Sequence, residues 1–208
     1  MSESSPPTTT TLTLTPDDVL NATLCDGEGT ALYFVSTTPS LYTTTTQVTR
    51  SNGELLATVE WRDMLPNRLR LGKKPPTTLN NWLQTALVPF ASKGNASFKD
   101  DSGRKYKWQG AAYANTLELF TKDDGYEEPI ATFTKSRKNI GRDLPAEPAR
   151  LALTARAVEI QDTVVLSFLF LERLRRGQAR TRQSTADALS KQPIVAITSG
   201  HGYGAGGG

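Results

Sequence analysis

Hydrophobic and polar residues alternate in short runs over most of the chain. TALYFVS (30–36) is a β-branched and aromatic run. TTTTQVTRS (43–51), Asn52-Gly53 and ELLATVEW (54–61) read as a hairpin with a type I′ turn, for which Asn-Gly is the strongest short signal. RLRLG (68–72) alternates charge and leucine. NASFKD (95–100) and RKYKWQG (104–110) flank Asp101-Ser102-Gly103, a second hairpin turn. NTLELFT (115–121) and PIATFTKS (129–136) flank the acidic, glycine-containing KDDGYEE, and RLALTA (150–155) follows. About nine short, evenly spaced strands predict an antiparallel sandwich or barrel. TTLNNWL (77–83) predicts one helical turn over 79–83, with Thr78 as its N-cap.

The period changes at TVVLSFLFLERLRR (163–176), where seven of the eight residues from Val164 to Leu171 are apolar. As a strand this run would be apolar on both faces; as a helix it would be apolar all round, which marks a buried helix. The ends decide between them. Glu159 and Asp162 suit a helix N-terminus, whereas Arg173, Arg175 and Arg176 suit a C-terminus. Glu172 and Arg176 form an i,i+4 pair, and Gly177 supplies a stop. The expectation is a helix over 159–176, roughly 27 Å long, matching the height of a small barrel. Eight residues bracketed by charge are too short for a membrane span, which takes about 20.

A β-rich domain closed by one wholly apolar helix resembles the tubby-like fold shared by tubby C-terminal domains, phospholipid scramblases and the plant LURP-one-related proteins. The likeness is closer to a fungal (basidiomycete) family known as domain of unknown function 6593. It is carried by LYFVST (32–37), LLATVEWR (55–62), FKDDSGRKYKWQG (98–110), PIATFTK (129–135) and EIQDTVVLSFLFLERLRR (159–176), and covers about 12–176. The resemblance implies a mainly β fold: a closed antiparallel tubby-like β-barrel around a buried hydrophobic C-terminal helix. Some tubby-like proteins bind phosphoinositide headgroups on a basic face.

The domain plan is a Ser/Pro/Thr-rich disordered tail over 1–11, one barrel domain over 12–177 and a polar, glycine-rich disordered tail over 178–208. MSESSPPTTTT has neither the basic nor the apolar region of a secretory signal, and the single cysteine, Cys25, permits no intramolecular disulfide. Both favour a cytoplasmic protein.

Net charge is +3, too mild and too dispersed for a nucleic-acid binder. The basicity is lopsided: residues 135–182 hold 11 basic and 5 acidic side chains, whereas 1–134 hold 12 basic and 15 acidic. The single histidine, His201, lies in the glycine-rich tail, so no Ser-His-Asp triad or two-histidine metal site can be built, and no cofactor is implied. The carboxylate pairs Asp17-Asp18, Asp100-Asp101, Asp123-Asp124 and Glu127-Glu128 all fall in predicted turns, where they cap backbone amides. Trp61, Trp82 and Trp108 read as packing residues rather than stacking platforms.

Basic clusters remain. Arg68, Arg70, Lys73 and Lys74 form one, Lys135, Arg137, Lys138 and Arg142 a second, and Arg173, Arg175, Arg176, Arg180 and Arg182 a third. Lys73, Lys74, Lys135, Arg137 and Lys138 are the candidate anion- or lipid-binding residues. The plain alternative is a solvated surface and, for the third cluster, complementation of the helix dipole. The functional expectation is a non-enzymatic binding module contacting anionic phospholipid headgroups or a protein partner, peripheral at membranes. The alternative is a hydrolase-type enzyme whose carboxylates converge only in the fold.

Overall fold

Burial alternates residue by residue along the strands, as in β5 (Leu55–Trp61) and β11 (Thr116–Thr121), so one sheet face is dry and the other wet. A computed structural model of the chain describes residues 9–85, 95–110, 115–137 and 146–190. His201 and Lys138 lie outside these residues, as do 1–8 and 191–208 of the expected tails.

Among the described residues, thirteen strands form one antiparallel sheet. Before β5 come β1 (Thr10–Thr15), β2 (Ala22–Cys25), β3 (Ala31–Pro39) and β4 (Thr44–Arg50); after it come β6 (Arg68–Leu71) and β7 (Thr77–Thr78). The second half contains β8 (Gln84–Thr85), β9 (Ala96–Lys99), β10 (Lys105–Gln109), β11, β12 (Pro129–Thr134) and β13 (Ala149–Leu153). Each half is a meander. They join where β1 pairs with β13, from Thr10 opposite Leu153 to Leu14 opposite Ala149. Thr10 and Thr11 therefore belong to the sheet, not to the tail expected over 1–11.

The sheet is open. Its ladder ends at β7 on one side and β8 on the other. The closed barrel read from the sequence is corrected on this point. These edge strands are two residues each and are joined by the single turn α1 (Leu79–Trp82), which leaves too little extended backbone to pair across the seam. Thr78 caps α1 as expected, its hydroxyl accepting from the Asn81 amide at 3.2 Å.

The Asn52-Gly53 turn also departs from expectation. Gly53 has φ +87°, but Tyr126 is the one described non-glycine residue with positive φ, so Asn52 does not adopt the type I′ geometry. The Gly53 amide donates to Arg50 O at 2.9 Å and the Arg50 amide to Glu54 O at 2.9 Å. This is a three-residue loop with its left-handed residue last, the type I turn plus bulge. Asp26–Thr30 and Asp100–Arg104 repeat it, with Gly29 and Gly103 at positive φ. In both, the leading aspartate accepts from two loop amides, the turn role expected of Asp100.

A short helix α2 (Ala155–Val158) leads into α3 (Gln161–Ser190). Every residue of α3 from Val164 to Glu172 is buried. Phe168 packs on Phe133 of β12 and Trp108 of β10, whereas Phe170 meets Trp61 of β5 and Trp82 of α1. The sheet therefore curls around the rod. Trp108 is fully buried and its Nε1 donates to Ser167 Oγ at 2.9 Å, giving the one polar atom of the apolar run a partner. The expected start at 159 and stop at Gly177 are both corrected. α3 begins at Gln161 and continues through Gly177, because one interior glycine costs only about 1 kcal/mol and the following residues include good helix formers. Thr181 and Thr185 hydroxyls bond back to carbonyls one turn earlier, so much of the expected tail over 178–208 is helix.

Candidate functional site

Where α3 leaves the sheet, a buried carboxylate collects cations. Glu172 is fully buried and accepts from Arg175 Nη1 and Arg176 Nε, each at 2.8 Å, while Lys135 Nζ lies 3.4 Å away. Arg176 also donates to the Asp17 backbone oxygen at 2.9 Å and to its carboxylate. Asp17 accepts from the Ser136 amide at 3.0 Å and hydroxyl at 2.6 Å. Burial alone would raise the Asp17 carboxyl; hydrogen bonds from Ser136 and Arg176 outweigh it and hold the group below the usual carboxylate range. This network ties the β1–β2 loop, the end of β12 and α3 together.

Beside it opens a cavity of about 880 Å³, walled by Asp17 to Leu20 on one side and by α3 from Arg173 to Arg182 on the other. Arg173, Arg176, Arg180 and Arg182 line it. Arg176 is committed to the two carboxylates just described. Arg173 is different. Its guanidinium carbon sits 4.2 Å from the centroid of the Trp61 ring, a cation–π contact, and it makes no hydrogen bond or ion pair among the described residues. Burial first, and then repulsion from Arg180, hold its pKa below the usual arginine value, although Asp18 opposes this. Arg173 and Arg180 are seven residues apart and so share a helix face. Two guanidiniums of like charge, one half-buried, line the same cavity.

The residues singled out from sequence separate. Lys73 and Lys74 lie at the other end of α3, around a cleft of about 520 Å³ that also contains Lys99, Asp101, Asp162 and Leu166. Lys74 pairs with Asp101 at 2.5 Å. Lys135 reaches inward to Glu172, and Arg137 pairs with Glu147 at 2.9 Å. From Asp162 to Glu172 the helix rises roughly 15 Å, so the two groups do not form one surface. The expected lysine set is not a single site. The Arg173–Arg180 pair belongs to the third basic cluster, outside the chosen set, and its seven-residue spacing signals a shared face only if the helix continues past Gly177.

The aspartates of the Asp17-Asp18, Asp100-Asp101 and Asp123-Asp124 pairs are engaged. Asp100 accepts from Arg104 Nε at 2.6 Å, and Asp162 from the Tyr33 hydroxyl at 2.8 Å and from Arg50. Among the described residues no cluster of histidine, cysteine and carboxylate side chains could hold a metal ion, and no helix is long and apolar enough to cross a membrane.

A model of the family of unknown function DUF6593 matches residues 17–177, from the cavity loop to the middle of α3. The chain belongs to the DUF6593 family. The matched span includes Asp17, Lys135, Glu172, Arg173 and Arg176, and ends before Arg180. A solved structure of a protein from Arabidopsis thaliana is similar over 77% of this DUF6593 chain and 90% of its own length, at 10% identity and a TM-score of 0.43. No curated protein matches in sequence.

Proposed function

We propose that this DUF6593 protein is a non-enzymatic binding module with a tubby-like architecture. It takes the phosphate of an anionic phospholipid headgroup into the arginine-lined cavity at the end of α3, and works in the cytoplasm at membrane surfaces. The observation that carries the reading is the Arg173–Arg180 pair. A guanidinium fixed over Trp61, without a carboxylate partner and next to another cation, gains most from an oxyanion that accepts from both. The tubby-like part is supported by a curled antiparallel sheet around one apolar helix. The non-enzymatic part is supported by Asp17 and Asp100, which hydrogen bonds hold ionised and which are thus poor general acids.

Co-sedimentation of the full chain with vesicles of phosphatidylcholine, with and without phosphatidylserine or phosphoinositide, tests this. Binding should require the anionic lipid and weaken with salt, since each cation near such a surface contributes about 1 kcal/mol. Arg173→Gln with Arg180→Gln should weaken it by about tenfold or more while circular dichroism stays that of the parent. Equal binding to neutral vesicles, or an unaffected double variant, would refute the reading.

A further inference from the structure

The most exposed apolar side chains are not scattered. Among the described residues, Leu41 and Tyr42 are 83% and 84% exposed, and Met64 and Leu65 are 94% and 62%. Leu41 and Tyr42 form the tip of the β3–β4 hairpin; Met64 and Leu65 form that of β5–β6. The strand register makes these tips neighbours. Pro39 pairs with Thr44, Thr44 with Trp61, and Glu60 with Arg68, so both loops leave the same end of the sheet side by side. That end is also the cavity's. Trp61, the last residue of β5, carries Arg173 on its ring, and Thr37 of β3 reaches the cavity loop, its amide donating to Asn21 Oδ1 at 2.9 Å and its hydroxyl to Leu20 O at 2.6 Å. Isolated exposed leucines are ordinary, but four large apolar tips on two adjacent hairpins, beside a basic cavity, are a pattern.

We propose that the 40–43 and 62–67 loops are a membrane-docking wedge: their apolar tips enter an anionic bilayer while the Arg173–Arg180 cavity holds a headgroup at its surface. Charge complementarity selects this occupant. Four arginines against two aspartates line the cavity, and Arg62 and Arg68 flank the second tip, whereas Asp63 is the one acidic residue on the two tips and is followed directly by Met64 and Leu65. Tyr42 has the amphipathic ring favoured at headgroup depth, and apolar insertion joined to cation attraction is how peripheral proteins hold a bilayer. The wedge deepens the headgroup reading and rests on it.

The protein's single cysteine makes depth measurable. In a Cys25→Ser background, Met64→Cys and, at the opposite end of α3, Ser102→Cys are labelled with an environment-sensitive fluorophore. Each is mixed with phosphatidylcholine–phosphatidylserine vesicles carrying acyl-chain spin labels. The fluorophore at 64 should shift to the blue and be quenched; that at 102 should do neither. Replacing Leu41, Tyr42, Met64 and Leu65 by serine should lower vesicle partitioning about a hundredfold, with the loss persisting at high salt. Binding to anionic vesicles with no quenching at 64 and full partitioning of the serine variant overturns the wedge and leaves the headgroup reading standing. No vesicle binding, with inorganic phosphate still bound in an Arg173-dependent way, also overturns the wedge and assigns the cavity a soluble ligand. Loss of both overturns both. Self-association or capture of a protein that the serine variant abolishes, without vesicle binding, assigns the tips to a protein contact and overturns the wedge.

Discussion

Replacing Phe168 by alanine tests the architecture at its centre. The ring is fully buried, with its centroid 4.3 Å from that of Phe133 and 6.4 Å from that of Trp108. A buried Phe→Ala change costs about 3–5 kcal/mol through lost transfer energy and the cavity left behind. The close Phe133 pair adds about 0.5–1.5 kcal/mol, and α3 is gripped on all sides, so collapse into the void is hindered and the upper part of the range applies. Against a domain stability of about 5–15 kcal/mol that is a large fraction. At about 2–4 °C per kcal/mol for a domain of this size, the melting temperature should fall by roughly 10–20 °C. Thermal melts followed by circular dichroism, with urea titrations at fixed temperature, measure it. A Phe168→Ala protein that melts with the parent but loses an association would show the helix to be an exposed binding element and refute the buried-rod account.

Two further outcomes are expected. Gly53→Val should cost about 1–3 kcal/mol, because φ of +87° is strained for a β-branched residue; Gly27→Val, where no positive φ and no near neighbour stand in the way, should be almost neutral, and equal urea midpoints for the two would reject the turn assignment. Asp17, whose folded carboxyl is held below the usual carboxylate range as hydrogen bonds from Ser136 and Arg176 outweigh its burial, contributes stability that is present above the unfolded pKa and is lost as pH falls through the folded one. Asp17→Asn should therefore lie well below the parent at neutral pH and converge with it under acid; a gap independent of pH would remove Asp17 from the ionic network.

The strands legible in the sequence were those bounded by Gly, Asp and Asn turns, because alternation and turn chemistry act locally. β1 was passed over, although Leu12 and Leu14 alternate with threonines and are both buried. A threonine run carries the same polar signal in a tail as in a strand, and what makes it a strand is β13, more than a hundred residues away. β7 and β8 are two residues long and have no local signature at all. Whether the sheet closes depends on the width of the seam at α1, which no local pattern encodes. The buried rod was readable because burial on every side removes periodicity, but its end was misplaced at Gly177. Glycine ends a helix only when the chain must then turn, and here it does not. That end point separates the site: with the helix ended at Gly177, Arg173 and Arg180 are members of one basic cluster but share no face, and the pairing of Lys74 and Lys135 with Asp101 and Glu172, distant in sequence, has no local signal.

The same helix carries the core and the cavity, and Glu172 shows how the two are coupled. Burying a carboxylate is costly unless it is fully paired, and replacing such a network by apolar residues is often neutral or stabilising, so stability alone gives Glu172 little reason to be there. Its geometry gives another. By accepting from Arg175 and Arg176 and drawing in Lys135, it ties one face of α3 to the end of β12, and Arg176 carries that tie on to Asp17 in the cavity wall. Together with the Trp108–Ser167 hydrogen bond, these bonds fix the rotation of the helix about its axis, which the otherwise apolar segment from Val164 to Leu171 specifies less directly through packing alone. Fixing the rotation at Glu172 also fixes the next residue, so Arg173 is held over Trp61 and, about two turns further along the same face, Arg180 is presented to the same cavity. A site whose cations are oriented by a buried network binds with less side-chain ordering left to do. On this account the charges inside the sheet serve the charges at its mouth.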